Sequence, residues 1–354
     1  MLAKYKHGGG YKQAALDEGI NWNQVTDYST SINWKATEFY PENLIYIHQE
    51  TMEYPDPNYP DLKEVIANNH GYSSKHFLLT HGANEAIYSL FHMFLLLGYK
   101  DKQVILVGPT YSEYNKYSDL NGFSSIKISY QDFNDKLNTF KNKIIVIVNP
   151  NTPVGEHYEL KPIIEKLQNS GSILVIDESF INFTDKPSVI DLVENNPNLY
   201  VIHSMTKFYG SAGARLGLIL SSNPLLQEYL SILLPPWTIS AYDKWFYKNM
   251  IIQYNKIKSA TIDWVKDLNI QADEVTRDLK NTRKFSESIS CYRTLEINPD
   301  ILKGESLRKF FLKNYKIYVR PTSDFYGCPE YSFRVGLRLP RENEPLWNAL
   351  RDIG

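Results

Sequence analysis

The chain has 354 residues, 43% hydrophobic and 22% charged, enough to bury a large core and form two lobes rather than one. Its 38 basic and 40 acidic side chains leave a net charge of −2, which offers no field for nucleic acid or an acidic membrane surface. Cys291 and Cys328 stand far apart without CxxC or Cys/His spacing, arguing against both a disulfide scaffold and a structural zinc site; no metal is expected.

The N-terminus lacks an apolar signal region, and the longest apolar stretch, near Leu90 to Leu97, is too short to cross a bilayer. A cytoplasmic protein with no membrane partner is expected. His7-Gly8-Gly9-Gly10 precedes a short helical pattern over Tyr11 to Glu18, closed by Gly19, and then Asp27-Tyr28-Ser29-Thr30-Ser31-Ile32-Asn33. Residues 1–33 read as an arm whose Ser31 and Asn33 either point into a site or form a turn. Tyr54-Pro55-Asp56-Pro57-Asn58-Tyr59-Pro60 is a stiff, proline-punctuated loop that leads into a helical pattern over Asp61 to Asn69.

Apolar runs then alternate with helical patterns: Phe77 to Leu79, a helix over Ala83 to Leu97, Gln103 to Val107, Ile144 to Val148, Ser172 to Ile176, Leu199 to Ile202 and Leu216 to Leu220. Such alternation predicts an α/β fold with a mostly parallel sheet and helices on both faces. The runs end in polar or glycine-rich loops, which in open α/β sheets converge on one ligand site. After Pro235-Pro236-Trp237 a long helical stretch over Ala241 to Leu268 opens a second lobe, with strand-like frames around Arg320 and Arg334.

Lys207 follows the apolar run Leu199 to Ile202 by a few residues. It reads as a surface lysine or as a buried amine available for imine chemistry. Gly82-Ala83-Asn84 begins an apolar helix whose free N–H groups suit a phosphate, although plain capping explains it too. Neither GxxxxGK[ST] nor GxGxxG occurs, which removes the usual support for ATP or a dinucleotide. Asp177 ends an apolar run, where an ionised carboxylate needs a cationic or hydrogen-bonding partner, and a pyridinium N–H is one. A metal site at Asp177-Glu178 is the alternative, without a histidine at ligand spacing. Tyr111 is placed to stack on a cofactor ring, with Ser204 and Arg215 around its phosphate.

Together these motifs resemble the fold type I pyridoxal-phosphate enzymes over nearly the whole chain. The resemblance implies pyridoxal 5'-phosphate, a large domain (34–240) with a seven-stranded-type sheet, and a smaller α/β domain (241–354 with arm 1–33). It is similar to the histidinol-phosphate aminotransferase branch, and more closely to the threonine-phosphate decarboxylases of cobalamin synthesis. His7-Gly8-Gly9, Asp27 to Asn33, Asp177 to Phe183, Ser204 to Tyr209 and Pro236-Trp237 carry that likeness. In Asn149-Pro150-Asn151-Thr152, Thr152 stands where the family places an asparagine on the cofactor's ring oxygen.

The resemblance further implies Lys207 as the catalytic lysine and His7, Ser31, Asn33, Arg320 and Arg334 as substrate-binding residues. It also implies a homodimer in which Tyr54 reaches the neighbouring subunit's cofactor phosphate. The implied reaction is decarboxylation of L-threonine or L-serine O-phosphate to aminopropanol phosphate or ethanolamine phosphate, feeding cobamide synthesis. An aminotransferase acting on a phosphorylated amine such as histidinol phosphate is the alternative.

Overall fold

The structure, a computed structural model, describes residues 7–42 and 50–354. Met1 to Lys6 of the expected arm lie outside the described residues. Strand β1 is Thr26–Asp27, and β2 to β8 are Phe77–Thr80, Val104–Gly108, Ser125–Ser129, Ile144–Val148, Ile173–Asp177, Leu199–Ser204 and Gly217–Leu220. Strands β2 to β8 form one seven-stranded sheet in the order β2-β8-β7-β6-β5-β3-β4. From β7 to β4 every pairing is parallel, whereas β8 runs antiparallel to both neighbours. The expected mostly parallel sheet is therefore present.

Its central strands are continuous apolar runs because both faces are covered, and side chains alternate between the two cores. Ile145 and Ile147 enter one cluster with Val201 and Phe208. Ile144, Val146 and Val148 enter the other, with Ile202 and the helix Ala83–Leu96. The edge strand β4 escapes the sequence reading. Its Ser-Ile-Lys-Ile-Ser pattern is short and half-exposed, as befits an edge that must discourage further pairing.

Strands β9 to β13 are Thr282–Lys284, Tyr292–Ile297, Ile317–Tyr318, Arg320–Pro321 and Ser332–Gly336. Four of them form an antiparallel sheet, β12-β13-β10-β9, in which Arg320 and Arg334 are direct register partners. The arm joins this part of the chain, because β1 pairs in parallel with β11 and Gly336 N–H donates to the Tyr28 carbonyl at 2.7 Å.

The single helix expected over Ala241 to Leu268 is instead two, Ala241–Ile251 and Tyr254–Thr276. The break at Ile252-Gln253 lets each half bury its own face. Phe246, Tyr247 and Met250 turn inward from the first half, and Ile257, Trp264 and Leu268 from the second. Gln253 holds the joint by donating to the Phe39 and Asn249 carbonyls.

Candidate active site

Strand β7 ends at Ser204 and turns at once into a single helical turn, Met205–Phe208, which carries Lys207. Its amine lies 4.4 Å from the Phe180 ring centroid and 5.7 Å from that of Tyr111. Burial pushes the amine below its ordinary pKa, and the nearby guanidiniums of Arg334 and Arg215 add to the effect against the opposing charge of Asp177. The shift is in the direction that favours the nucleophilic form of the amine. Lys207 is thus a half-buried group that lines a cavity and not a lysine of the outer surface.

Asp177 closes β6 between Val148 and Ile202. Its carboxylate accepts from Ser179 N–H and Tyr114 Oη, both at 2.9 Å. Glu178 turns the other way and accepts from Val189 N–H at 2.8 Å, His203 Nε2 at 3.0 Å and Ser188 Oγ. Because successive side chains here diverge, the two carboxylates do not converge on a common ion, and the metal alternative fails on geometry.

At the other end, Gly82 caps the helix Ala83–Leu96 with φ +78°, a conformation that favours glycine. A Cβ there would sit 2.3 Å from Arg215 Nη2, so the missing side chain is what lets the guanidinium stand at the helix N-terminus. Gly217 lets β8 approach closely, since its Cβ would meet the Gly82 carbonyl carbon at 2.5 Å. Asp243 Oδ1 accepts from Arg215 N–H at 2.9 Å and steadies the arginine's backbone. Asn84 donates to Tyr117 Oη, while its own Oδ1 is buried without a partner. Helix N–H groups, Arg215 and the buried Ser204 together make an anion-binding end.

The substrate end is a cavity of about 210 Å³ whose walls include His7, Ser31, Tyr111, Thr152, Lys207, Arg320 and Arg334. Arg334 donates to Thr152 Oγ1 and to the Ser29 carbonyl, both at 2.9 Å, and stands over the Tyr292 ring. Burial and the charge of Arg320 lower its pKa to about 10, and among the described residues it has no carboxylate partner. Arg320 makes a two-pronged contact with Asp324, 2.8 Å on each side. His7 Nε2 lies 2.9 Å from Glu113 Oε1. Ser31 Oγ and Arg334 Nε are buried and unpartnered.

Two expected residues stand elsewhere. Asn33 is a structural residue: its Nδ2 donates to the Phe208 carbonyl and Thr261 Oγ1, and its Oδ1 caps Ala36 N–H. Capping the helical turn Trp34–Phe39 uses the side chain inside the fold, away from the cavity. Tyr54 is 81% exposed and packs, tilted, against Trp237 with ring centroids 4.4 Å apart, outside the site formed by its own chain. Sequence reading missed Tyr114, Thr206 and Glu113. Tyr114 lies three residues after Tyr111, and that helical spacing is the signal that points to it. Thr206 lines the cavity beside Lys207 and receives Arg215 Nη1 at 3.4 Å.

A sheet of this order, with a cavity-lining lysine, a buried aspartate and a glycine-built anion site at the strands' carboxyl ends, defines a fold type I pyridoxal-phosphate enzyme. The chain belongs to the aminotransferase class I and II family, a pyridoxal-phosphate-dependent family that matches residues 15–350. It is 28% identical to the adenosylcobalamin biosynthesis bifunctional protein CobDQ of Leptospira interrogans over 98% of its own length, spanning 41% of that longer protein. It is 27% identical to histidinol-phosphate aminotransferase of Christiangramia forsetii, covering 85% of each chain. It is 23% identical to threonine-phosphate decarboxylase of Salmonella typhimurium, covering 98% and 96%.

The histidinol-phosphate aminotransferase of Sinorhizobium meliloti, solved in complex with pyridoxal-5'-phosphate, shares the fold. Its TM-score is 0.78 at 17% identity, over 99% of this chain and 95% of that one. The residues here fit that cofactor, with an amine, a ring-nitrogen partner and an anion cradle in order, and with orphaned polar atoms left at Asn84, Ser31 and Arg334. No helix among the described residues is long and apolar enough to cross a membrane.

Proposed function

We propose that the protein decarboxylates an O-phosphorylated hydroxy amino acid, L-threonine or L-serine O-phosphate, as a homodimer serving cobamide synthesis. The observation that carries this reading is the half-buried Arg334 guanidinium, which has no carboxylate partner among the described residues and shares a cavity with Arg320, His7 and Lys207. Such a concentration of cationic donors suits a ligand bearing both a carboxylate and a phosphate.

Pyridoxal phosphate, when bound, supplies the electron sink for the bond broken at Cα. Lys207 would hold it through its amine, Asp177 would pair with its ring nitrogen, Tyr111 and Thr152 would contact its ring, and Gly82, Ala83, Asn84, Ser204 and Arg215 would receive its phosphate. Arg334 would grip the substrate carboxylate, and Arg320 with His7 would take the substrate phosphate, so that these groups orient the substrate and select the bond broken at Cα. Carbon dioxide leaves, and Lys207 Nζ delivers the proton that replaces it. Tyr54 of one subunit completes the phosphate site of the other.

Transamination of a phosphorylated amine is the second reading. It is favoured by a cleft of about 600 Å³ that adjoins the cavity at Tyr111 and Arg320 and gives room for a larger side chain. Incubation with each phosphoamino acid and no added 2-oxo acid separates the two. Carbon dioxide release is expected; amino transfer to 2-oxoglutarate without carbon dioxide would sink the decarboxylase reading.

A further inference from the structure

We propose that Glu113 is a positioning residue for the phosphorylated substrate, pinning His7 and the start of the N-terminal arm over the cavity that contains Lys207. This rests on the phosphoamino-acid reading above and adds a residue that the sequence motifs did not single out.

Glu113 lies two residues after Tyr111, on the helix Ser112–Leu120, and is fully buried. A carboxylate in such a place needs cationic or hydrogen-bonding partners. It has two: Oε2 accepts a hydrogen bond from Lys116 Nζ at 2.6 Å, and Oε1 lies within ion-pair distance of His7 Nε2, at 2.9 Å, without hydrogen-bond alignment. Burial alone would raise the carboxyl's pKa, but the bonds and charges of His7 and Lys116 hold it below its ordinary value. Glu113 is therefore an ionised acceptor.

The arm is held from its other side as well. Gly9 N–H donates to Ser29 Oγ at 2.7 Å, and the carbonyl of the same Ser29 accepts from Arg334 Nη2 at 2.9 Å. The His7 side chain is still 43% exposed and lines the cavity. Without Glu113 its ring, on a glycine-rich segment, would keep only the Tyr111 ring beside it, 5.8 Å away between centroids. With Nε2 engaged by Glu113, Nδ1 is the nitrogen left for a ligand, so the carboxylate fixes both the ring's direction and which atom meets the substrate. A carboxylate that only stitched the arm to the helix would make no distinction between phosphorylated and unphosphorylated ligands.

The test is calorimetric titration of the cofactor-loaded enzyme with phosphoethanolamine and with ethanolamine, in wild type, Glu113→Gln, His7→Ala and the double variant. Glu113→Gln is expected to weaken phosphoethanolamine about tenfold and leave ethanolamine unchanged. The double variant should bind phosphoethanolamine no more weakly than His7→Ala, because Glu113 acts through His7. Equal loss for both ligands, or losses that multiply in the double variant, would overturn the proposal. Wild-type selectivity kept intact in Glu113→Gln overturns it alone. A wild type that binds both amines equally overturns the phosphorylated-substrate reading and this proposal with it. Should Glu113→Gln fail to fold, Glu113→Asp keeps a charge for Lys116 while shortening the reach to His7, and the same selective loss is expected.

Discussion

Arg334 donates through Nη1 to Thr152 Oγ1 at 2.9 Å, so the guanidinium of β13 is fastened to the loop after β5. That single bond links the two sheets across the cavity and aims the arginine at Lys207's side of it. Arg334→Lys keeps a charge but loses the planar fork, and Arg334→Gln loses both. We expect KM for the phosphoamino acid to rise about 10-fold or more in the first and further in the second, at hydrogen-bond energies of about 1.5–3 kcal/mol. Cofactor retention, followed by absorbance, should stay as in wild type.

The anion cradle makes a different demand. A methyl at position 82 meets Arg215 Nη2 at 2.3 Å and adopts φ +78°, so Gly82→Ala must displace the guanidinium or strain the backbone by roughly 1–2 kcal/mol. Equilibrium dialysis against pyridoxal phosphate should show cofactor affinity falling about tenfold, with substrate selectivity unchanged in the fraction still loaded.

Asp177 and Tyr114 should rank clearly. Tyr114→Phe removes one donor from the buried carboxylate, at a cost of about 1–3 kcal/mol, and leaves Ser179 N–H in place. Asp177→Asn removes the charge itself. Steady-state kcat/KM should fall about tenfold for Tyr114→Phe and about a hundredfold or more for Asp177→Asn; the reverse order would detach Asp177 from the chemistry.

Much of this architecture was legible because its signals are local. The buried strands β2, β3, β5, β6 and β7 are largely apolar runs; Asp177 ends β6, Gly82 follows β2 by two residues and Lys207 follows β7 by three. What escaped depends on distant partners. Glu113 looks like an ordinary helix-surface acid until His7 folds over it, more than a hundred residues away in sequence. Asn33 looks like a polar site residue until Thr261 and Phe208 claim its amide. The break at Gln253 carries no proline or glycine, and only the separate burial of Phe246 and Trp264 explains it.

Stability should fall on mild acidification through His70. Its Nδ1 is shut from solvent without a partner, its Nε2 meets Tyr209 Oη at 2.8 Å, and the rings of Tyr72 and Tyr254 flank it. Burial, helped by the charges of His203 and Lys258, lowers its pKa from 6.5 to about 3. The depressed value means that the unfolded chain takes up the proton first. The contribution is complete above pH 6.5 and is lost as pH falls toward about 3, at a limit of about 1.4 kcal/mol per unit. The melting temperature of His70→Asn should therefore change less than that of wild type between pH 6.5 and 4.5, although its absolute value is lower; parallel curves would remove His70 from the acid response.

The most direct measurement is borohydride reduction of the cofactor-loaded protein followed by peptide mapping. The phosphopyridoxyl group is expected on Lys207, and Lys207→Ala is expected to take up none. Label on another lysine, or equal labelling of Lys207→Ala, would contradict it.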